Sequence, residues 1–309
     1  MTGQDQQTAR QPCPKSFQPQ NIACRLSIII PCLNAGSTLS GCLEAVKADW
    51  AALQEQAALV PEARGGLVPE AQGGQETGDK PLRVPDLALY VVDGGSEDDT
   101  QAVALQHGVP FIQSQRGRGT QLRQGAIVAQ ASLENQNDVE TFEKQAHWLL
   151  FLHADTRLAA GWAQAVCAFM TQPEYQDRFA AFQFKLADST KPPAPTDFRA
   201  ASARRLEKIV AWRCRYLGLP YGDQGLLISA SLYQKAGGYE DSPLMEDVAL
   251  IRSLWRLGKK WNLTLFSVPA YTSDVKYRRG YHRRSFRNIL CLALWFCGVS
   301  PRRIAKLYS

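Results

Sequence analysis

Three apolar runs restrict the architecture this chain can adopt. Leu26-Ser-Ile-Ile-Ile30, Leu87-Ala-Leu-Tyr-Val-Val92 and Trp148-Leu-Leu-Phe-Leu152 are nearly continuous rather than alternating. Strands of that kind are buried on both faces, which demands helices above and below them. The helices are legible between the runs. Leu39, Leu43, Val46 and Trp50 keep helical spacing behind Ser37 or Thr38, either of which can cap. Asp98 or Asp99 caps a second helix that runs to His107 and stops at Gly108. A short strand Val109–Gln113, helices across Gln121–Gln130 and Trp162–Met170, and a strand Phe179–Leu186 extend the alternation. The pattern predicts an α/β fold with a mostly parallel sheet flanked by helices on both faces. Beyond Asp188 the chain reads as mainly helical, with a Pro-rich link at 192–195.

Two stretches interrupt this order. Leu59-Val-Pro-Glu-Ala-Arg-Gly-Gly66 returns as Leu67-Val-Pro-Glu-Ala-Gln-Gly-Gly74, and two copies are too few to stack as a solenoid. Pro and Gly at that density forbid a continuous helix, so about 56–83 reads as a flexible insertion. The polar stretch 133–145 reads as a second. Residues 1–24, rich in Gln and Pro and lacking an apolar core, read as a disordered segment and not as a signal peptide.

Charge is unevenly placed. The net charge is +6, yet from Lys276 onward there are nine Lys or Arg residues and no Asp or Glu. Such an end suits an anionic partner, phosphate groups or an anionic membrane face, and nothing in the sequence points to nucleic acid. The apolar run Ile289–Val299 is far short of the roughly 20 residues a bilayer requires. It could lie in a membrane interface or pack on the core. The 8 cysteines contain no Cys-x-x-Cys pair, which favours reduced thiols in a cytoplasmic protein over zinc or a disulfide framework.

The chemistry gathers where apolar runs end. Asp93 closes one strand, Asp155 follows another, and Glu246-Asp247 opens a helix carrying Val248, Leu250, Ile251, Leu254 and Leu257. In open α/β sheets, ligands bind outside the carboxyl ends of the strands. Each acid also has a plainer reading. Asn34 and Asp93 are common turn formers, Asp155 could cap a helix, and the acid pair could merely favour a helix N-terminus. Arg116-Gly-Arg118 precedes a helix and could cradle an anion or simply be a solvated loop. His153 could be a hydrogen-bonded core histidine, and Gly222–Gly225 a plain turn.

Taken together, Ile-Ile-Pro31-Cys-Leu-Asn34, Val-Val-Asp93-Gly-Gly-Ser96, Leu-His153-Ala-Asp155-Thr, Gly237-Gly-Tyr and Glu246-Asp247-Val-Ala-Leu resemble the family 2 glycosyltransferases of GT-A fold. The resemblance is to a bacterial subgroup with Arg116-Gly-Arg118, Leu-His-Ala-Asp-Thr and Gly-Leu-Pro220-Tyr-Gly-Asp223-Gln-Gly225. It implies a catalytic domain over 25–275, while the basic residues beside the apolar run read 276–309 as basic amphipathic helices. It implies that Asp247 is the catalytic base and that Pro31, Asn34, Asp93, Arg116, Arg118, His153 and Asp155 bind a nucleotide-diphosphate sugar. Asp155 would hold Mg²⁺ or Mn²⁺. Tyr221, Asp223, Gln224 and Glu246 would meet the acceptor; the tail's composition separately suits a small or lipid-like acceptor and places Arg278 and Arg279 as candidates for the leaving diphosphate. Three departures stand out. Ala35 replaces a common acid, His153 replaces the first Asp of an Asp-x-Asp motif, and Arg123 stands where Asn is usual. A nucleotidyltransferase, or a non-catalytic nucleotide-sugar-binding protein at a membrane, would fit the same residues.

Overall fold

The computed structural model describes residues 24–59, 84–134, 146–187, 198–242, 244–260, 262–273 and 281–308. Their centre is an eight-stranded sheet in the order β3-β2-β1-β4-β7-β6-β8-β5. The strands are β1 (Cys24–Cys32), β2 (Asp86–Asp93), β3 (Phe111–Gln113), β4 (Ala146–Phe151), β5 (Thr156–Leu158), β6 (Phe179–Ala187), β7 (Leu226–Ser229) and β8 (Leu263–Ser273). The helices are α1 (Gly36–Leu59), α2 (Thr100–Gln106), α3 (Arg118–Glu134), α4 (Trp162–Met170), α5 (Phe198–Leu217), α6 (Ala230–Lys235), α7 (Glu246–Arg256), α8 (Tyr281–Phe296) and α9 (Pro301–Tyr308).

Burial on both faces accounts for the continuous apolar runs. In β1, Leu26, Ile28 and Ile30 pack with Leu39, Leu43, Val46 and Trp162 of α1 and α4 on one side. Ile29 points the other way and joins Leu122, Ala126, Leu250 and Leu254 of α3 and α7. Burying one such side chain stabilises by about 1.5–3 kcal/mol, so strand period and helix period select each other.

The sheet is mostly parallel with antiparallel strands beyond β4: four pairings are parallel, β6 with β8 among them, and three are antiparallel. β3, β2, β1 and β4 run parallel, with Cys32 level with Asp93, so their carboxyl ends share one edge. β7 then enters antiparallel between β4 and β6, and β5 pairs antiparallel with β8. The stretch read as mainly helical therefore supplies two strands. β7 is four residues long, too short to show a period. β8 carries Pro269, which has no N–H for the ladder and sits where the β6–β8 register slips. That irregularity makes the proline tolerable and hides the strand.

Two boundaries also move. α1 continues through Leu59 and α3 through Glu134, into the starts of both expected insertions. The rest of those insertions, and residues 1–23, lie outside the described residues, as do 276–280 of the basic tail. At α2 the side-chain bonds come from Asp98, which accepts from the N–H groups of Gly36 and Thr100, although Asp99 holds the cap position. Among the described residues the seven cysteines are all free, and six of them are buried. No described helix is long and apolar enough to cross a membrane.

The tail packs inward. Leu292 and Trp295 lie against the α3–α7 side of the core, Phe296 stacks on Trp255 at 6.3 Å, and the Arg252 guanidinium covers Trp295 at 5.1 Å. Of the two options left by the sequence, packing on the core describes these side chains.

One glycine tests how tightly a helix meets the sheet. A Cβ on Gly125 would lie 2.4 Å from Ile29 Cγ2 and 2.9 Å from Val92 Cγ2. In an open helix Gly→Ala stabilises by about 1 kcal/mol. Here Gly125→Ala should instead destabilise by about 1–3 kcal/mol in urea unfolding, as overpacking does. A stabilised variant would mean that α3 stands off the sheet.

Candidate active site

Asp155 lies in a tight turn directly beyond β4, closed by the Thr156 N–H donating to the His153 carbonyl at 3.0 Å. Asp247 is the second residue of α7, whose entry is set by Met245 at φ 67°, a left-handed conformation uncommon for a non-glycine residue. The two acids line one cavity of about 160 Å³. Arg118, His153, Tyr221, Gly222, Asp223 and Glu246 share that lining, with Thr272 and Asn288 on its far wall.

Asp247 is held in place by two donors. The Gly222 N–H reaches Oδ2 at 2.9 Å and the Tyr239 hydroxyl reaches Oδ1 at 3.3 Å. A carboxylate offers about four lone-pair sites, so acceptor capacity remains on the cavity side. Gly222 is required by space, because a Cβ there would come within 2.5 Å of His153 Nε2 and 2.9 Å of Asp247 Oδ2. Tyr239 is buried at 1% exposure, and its own backbone N–H is held by the Tyr233 hydroxyl at 3.0 Å. The Gly237-Gly-Tyr motif thus supports Asp247 from behind.

Glu246 and Asp247 take different roles, as adjacent helical residues must when they point about 100° apart. Glu246 is 3% exposed and pairs with Arg118 at 3.2 Å. Burial and the neighbouring Asp247 raise its pKa, while Arg118 opposes them. The Arg118 side chain is half exposed, so this pair orients the two helix starts more than it stabilises the fold. Gly119 permits the approach, since a Cβ there would meet the Glu240 carbonyl at 2.3 Å.

Asp223 is the most perturbed acid of the cavity. Burial pushes its carboxyl up to about 6, Arg213 pulls it back, and Asp247 and Asp155 add to the rise. Its Oδ1 is buried with no hydrogen-bond partner within the protein. Among the described residues no three His, Cys, Asp or Glu side chains converge as a ready metal cluster. A cation here would draw on one or two of these carboxylates and complete its shell with ligand and water oxygens, which suits Mg²⁺ or Mn²⁺.

Several expected residues lie elsewhere. Gln224 does not face the cavity. It is 2% exposed, donates to the Phe182 carbonyl at 3.1 Å and accepts from Arg213 at 3.1 Å, so it fixes the loop from behind. Asn34 and Asp93 sit at the shared strand edge and build its turns. Asp93 Oδ2 accepts from the N–H groups of Gly95 and Ser96 at 2.8 Å each, and Asn34 Oδ1 accepts from Glu97 N–H at 2.9 Å. Pro31 is part of β1, and Arg116 is exposed before α3. None of these four lines the Asp155–Asp247 cavity. Arg123 lines a separate cavity of about 280 Å³ with His147 and Tyr233. Arg278 and Arg279 fall outside the described residues.

Arg213 is the residue that sequence reasoning missed. Its Nε donates to the Leu219 carbonyl at 2.8 Å, and its guanidinium lies 3.4 Å over the Tyr221 ring. It clamps both ends of the Leu219–Gln224 loop and balances Asp223. Its place in a basic amphipathic helix gave no local signal of that reach.

Neither a protein-family model nor a curated protein matches the sequence. Solved structures do align with the chain. Glucosyl-3-phosphoglycerate synthase from Mycobacterium tuberculosis, with Mn²⁺, uridine diphosphate and glucosyl-3-phosphoglycerate, aligns at TM-score 0.45 and 16% identity over 89% of this chain and 80% of that one. The same enzyme with Mg²⁺ and uridine diphosphate gives TM-score 0.46 at 16% identity, covering 89% and 80%. S. aureus TarS aligns at TM-score 0.45 and 13% identity over 87% of this chain and 38% of its own length. Likenesses of this extent leave substrate, metal and mechanism to be argued from the site.

Burial of the Asp223 carboxyl makes stability depend on pH. Its folded pKa of about 6 lies above the ordinary carboxylate value. The unfolded chain therefore releases this proton first as pH rises. The contribution to stability falls between about pH 4 and pH 6 and stays low above. Asp223→Asn should raise Tm at pH 8 and change it far less at pH 4. An equal gain at both values, or a loss at pH 8, would contradict the assignment.

Proposed function

We propose that the protein is an inverting glycosyltransferase of the GT-A type. It would move a sugar from a nucleotide-diphosphate donor to a hydroxyl or carboxyl acceptor by single displacement. The observation that supports this most is that Asp155 and Asp247 line one cavity from opposite elements, the β4 end and the α7 start.

In this reading, Asp247 accepts the acceptor's proton as the new bond to the sugar's anomeric carbon forms. The bond from that carbon to the diphosphate breaks, and its electron pair leaves with the nucleoside diphosphate. No protein nucleophile is needed. The Gly222 N–H and the Tyr239 hydroxyl keep the base aimed during proton transfer. Arg118, half exposed at the start of α3, stands where negative charge develops on the leaving group, with the helix N-terminus behind it. Arg116 and the tail's Arg278 and Arg279 would add to that field. Asp155 would hold Mg²⁺ or Mn²⁺, which when bound supplies charge neutralisation at the diphosphate.

The nucleotide belongs at the strand edge formed by Pro31, Asn34 and Asp93, whose turns are already fixed by their internal hydrogen bonds. Because Asp93 already accepts three bonds, it would meet a base with the acceptor capacity that remains. His153 positions the donor beside Asp155. Tyr221 and Asp223 form the acceptor side, with Glu246 in support.

Asp247→Asn tests the assignment of the base. Removing a general base should lower turnover by about 10²–10⁴ while donor affinity, read by calorimetry with Mn²⁺ present, stays within about twofold. The product released with the transferred sugar should be a nucleoside diphosphate. Unchanged turnover in the variant, or pyrophosphate as the product, would overturn the proposal.

A further inference from the structure

α5 shows solvent a face that the reaction does not use. Over 201–217 its inner side is formed by Leu206, Val210 and Cys214, which pack with Phe184 of β6, by Leu217, which joins the α3–α7 core, and by Arg213, which clamps the acceptor-side loop. The outer side carries Ile209, Trp212 and Tyr216, at 52%, 55% and 56% exposure. These lie three and four residues apart and make one apolar stripe along the helix. Trp212 and Tyr216 lie together, with ring centroids 5.9 Å apart. Arg205 falls within this stripe, and Arg204, Lys208 and Arg215, all exposed, flank it on the side toward the cavity below. The one acid within this span, Glu207, is turned inward to Lys185 at 2.8 Å.

We propose that this face of α5 docks the protein on an anionic lipid surface. Exposed aromatic and aliphatic side chains flanked by basic residues suit the headgroup–acyl boundary, where apolar stems enter and guanidinium heads meet lipid phosphates. A cavity of about 470 Å³ opens beneath the helix and extends the match. It is rimmed by Arg204 and Lys208, with Lys185 paired to Glu207 inside it, and floored by Phe184, Val210 and Phe266, so the two outer cations are the ones that could meet a headgroup phosphate. The sequence had pointed to the tail for such contact, yet the tail turns Trp295 onto the core, whereas Trp212 faces outward.

The position of the helix gives this contact a use. Arg213 on its inner side holds Leu219, Tyr221 and Gln224, so the docked helix sets the acceptor side of the cavity near the lipid phase. An acceptor carried on a lipid then follows. That last step rests on the proposed sugar transfer, while docking stands on the helix face alone.

Sedimentation with phosphatidylcholine vesicles, with and without phosphatidylglycerol, tests the docking directly. The full chain should bind the anionic vesicles and not the neutral ones. Each Lys or Arg near such a surface contributes about fivefold in partitioning, so Arg205→Gln, Lys208→Gln and Arg215→Gln combined should weaken binding by roughly a hundredfold. Trp212→Ser should also weaken it, and Trp212→Phe should remove the fluorescence blue shift seen on vesicle addition. Turnover with a soluble acceptor should stay unchanged in all three. A tail variant combining Arg302→Gln, Arg303→Gln and Lys306→Gln should keep most of the binding. No binding to anionic vesicles, equal binding to neutral ones, or loss in the tail variant alone would overturn the proposal. So would a chain dimer that Trp212→Ser dissolves without any vesicle contact. Vesicle binding without sugar transfer would overturn only the catalytic reading.

Discussion

Four carboxylates crowded into one small cavity set the terms for everything around them. Asp223 feels the charges of Asp247 and Asp155, Glu246 feels that of Asp247, and burial adds to the cost of charge on Asp223 and Glu246. The fold answers with two arginines placed at opposite sides. Arg118 pairs with Glu246 from the start of α3, and Arg213 reaches past Tyr221 to the Asp223 loop. The remaining repulsion is kept rather than removed. Under the proposed reaction, a cavity so biased toward negative charge would favour a ligand that arrives with its own cation.

The sheet makes this crowding possible. Four parallel strands bring their carboxyl ends to one edge, which carries the Asn34 and Asp93 turns and leads to Asp155. The antiparallel β7 then follows the Tyr221–Gly225 turn and brings it in beside β4. Gly222 lets that turn come close enough to touch Asp247 through its backbone. Two glycines, at 119 and 222, mark where elements distant in sequence approach without side chains between them.

Much of this was legible from residues alone. The runs that became β1, β2 and β4 announced themselves by continuous burial, and the acids at their ends lie where ligands of such sheets are expected. Two strands, β7 and β8, were hidden because β7 is short and β8 contains Pro269 at a register slip. Roles that depend on long-range contact were hidden too. Gln224 reads as an acceptor contact and is instead buried between the Phe182 carbonyl and Arg213; the Gly237-Gly-Tyr motif marked Tyr239 without its contact to Asp247, and nothing local marked Arg213 as the clamp on the Asp223 loop. Motif spacing reports which residues lie near a site. It does not report which of them face into it.

Sugar transfer as proposed requires Asp155 and Asp247 to act at two ends of one cleft holding the donor. Diffraction from crystals soaked with Mn²⁺ and a nucleoside diphosphate, collected at the manganese absorption edge, examines this directly. The account predicts one strong anomalous peak against the Asp155 carboxylate, with the diphosphate bridging it toward Arg118 and the base lying at the Asn34–Asp93 edge. A manganese peak outside the cavity, or a nucleotide bound away from that strand edge, would contradict it.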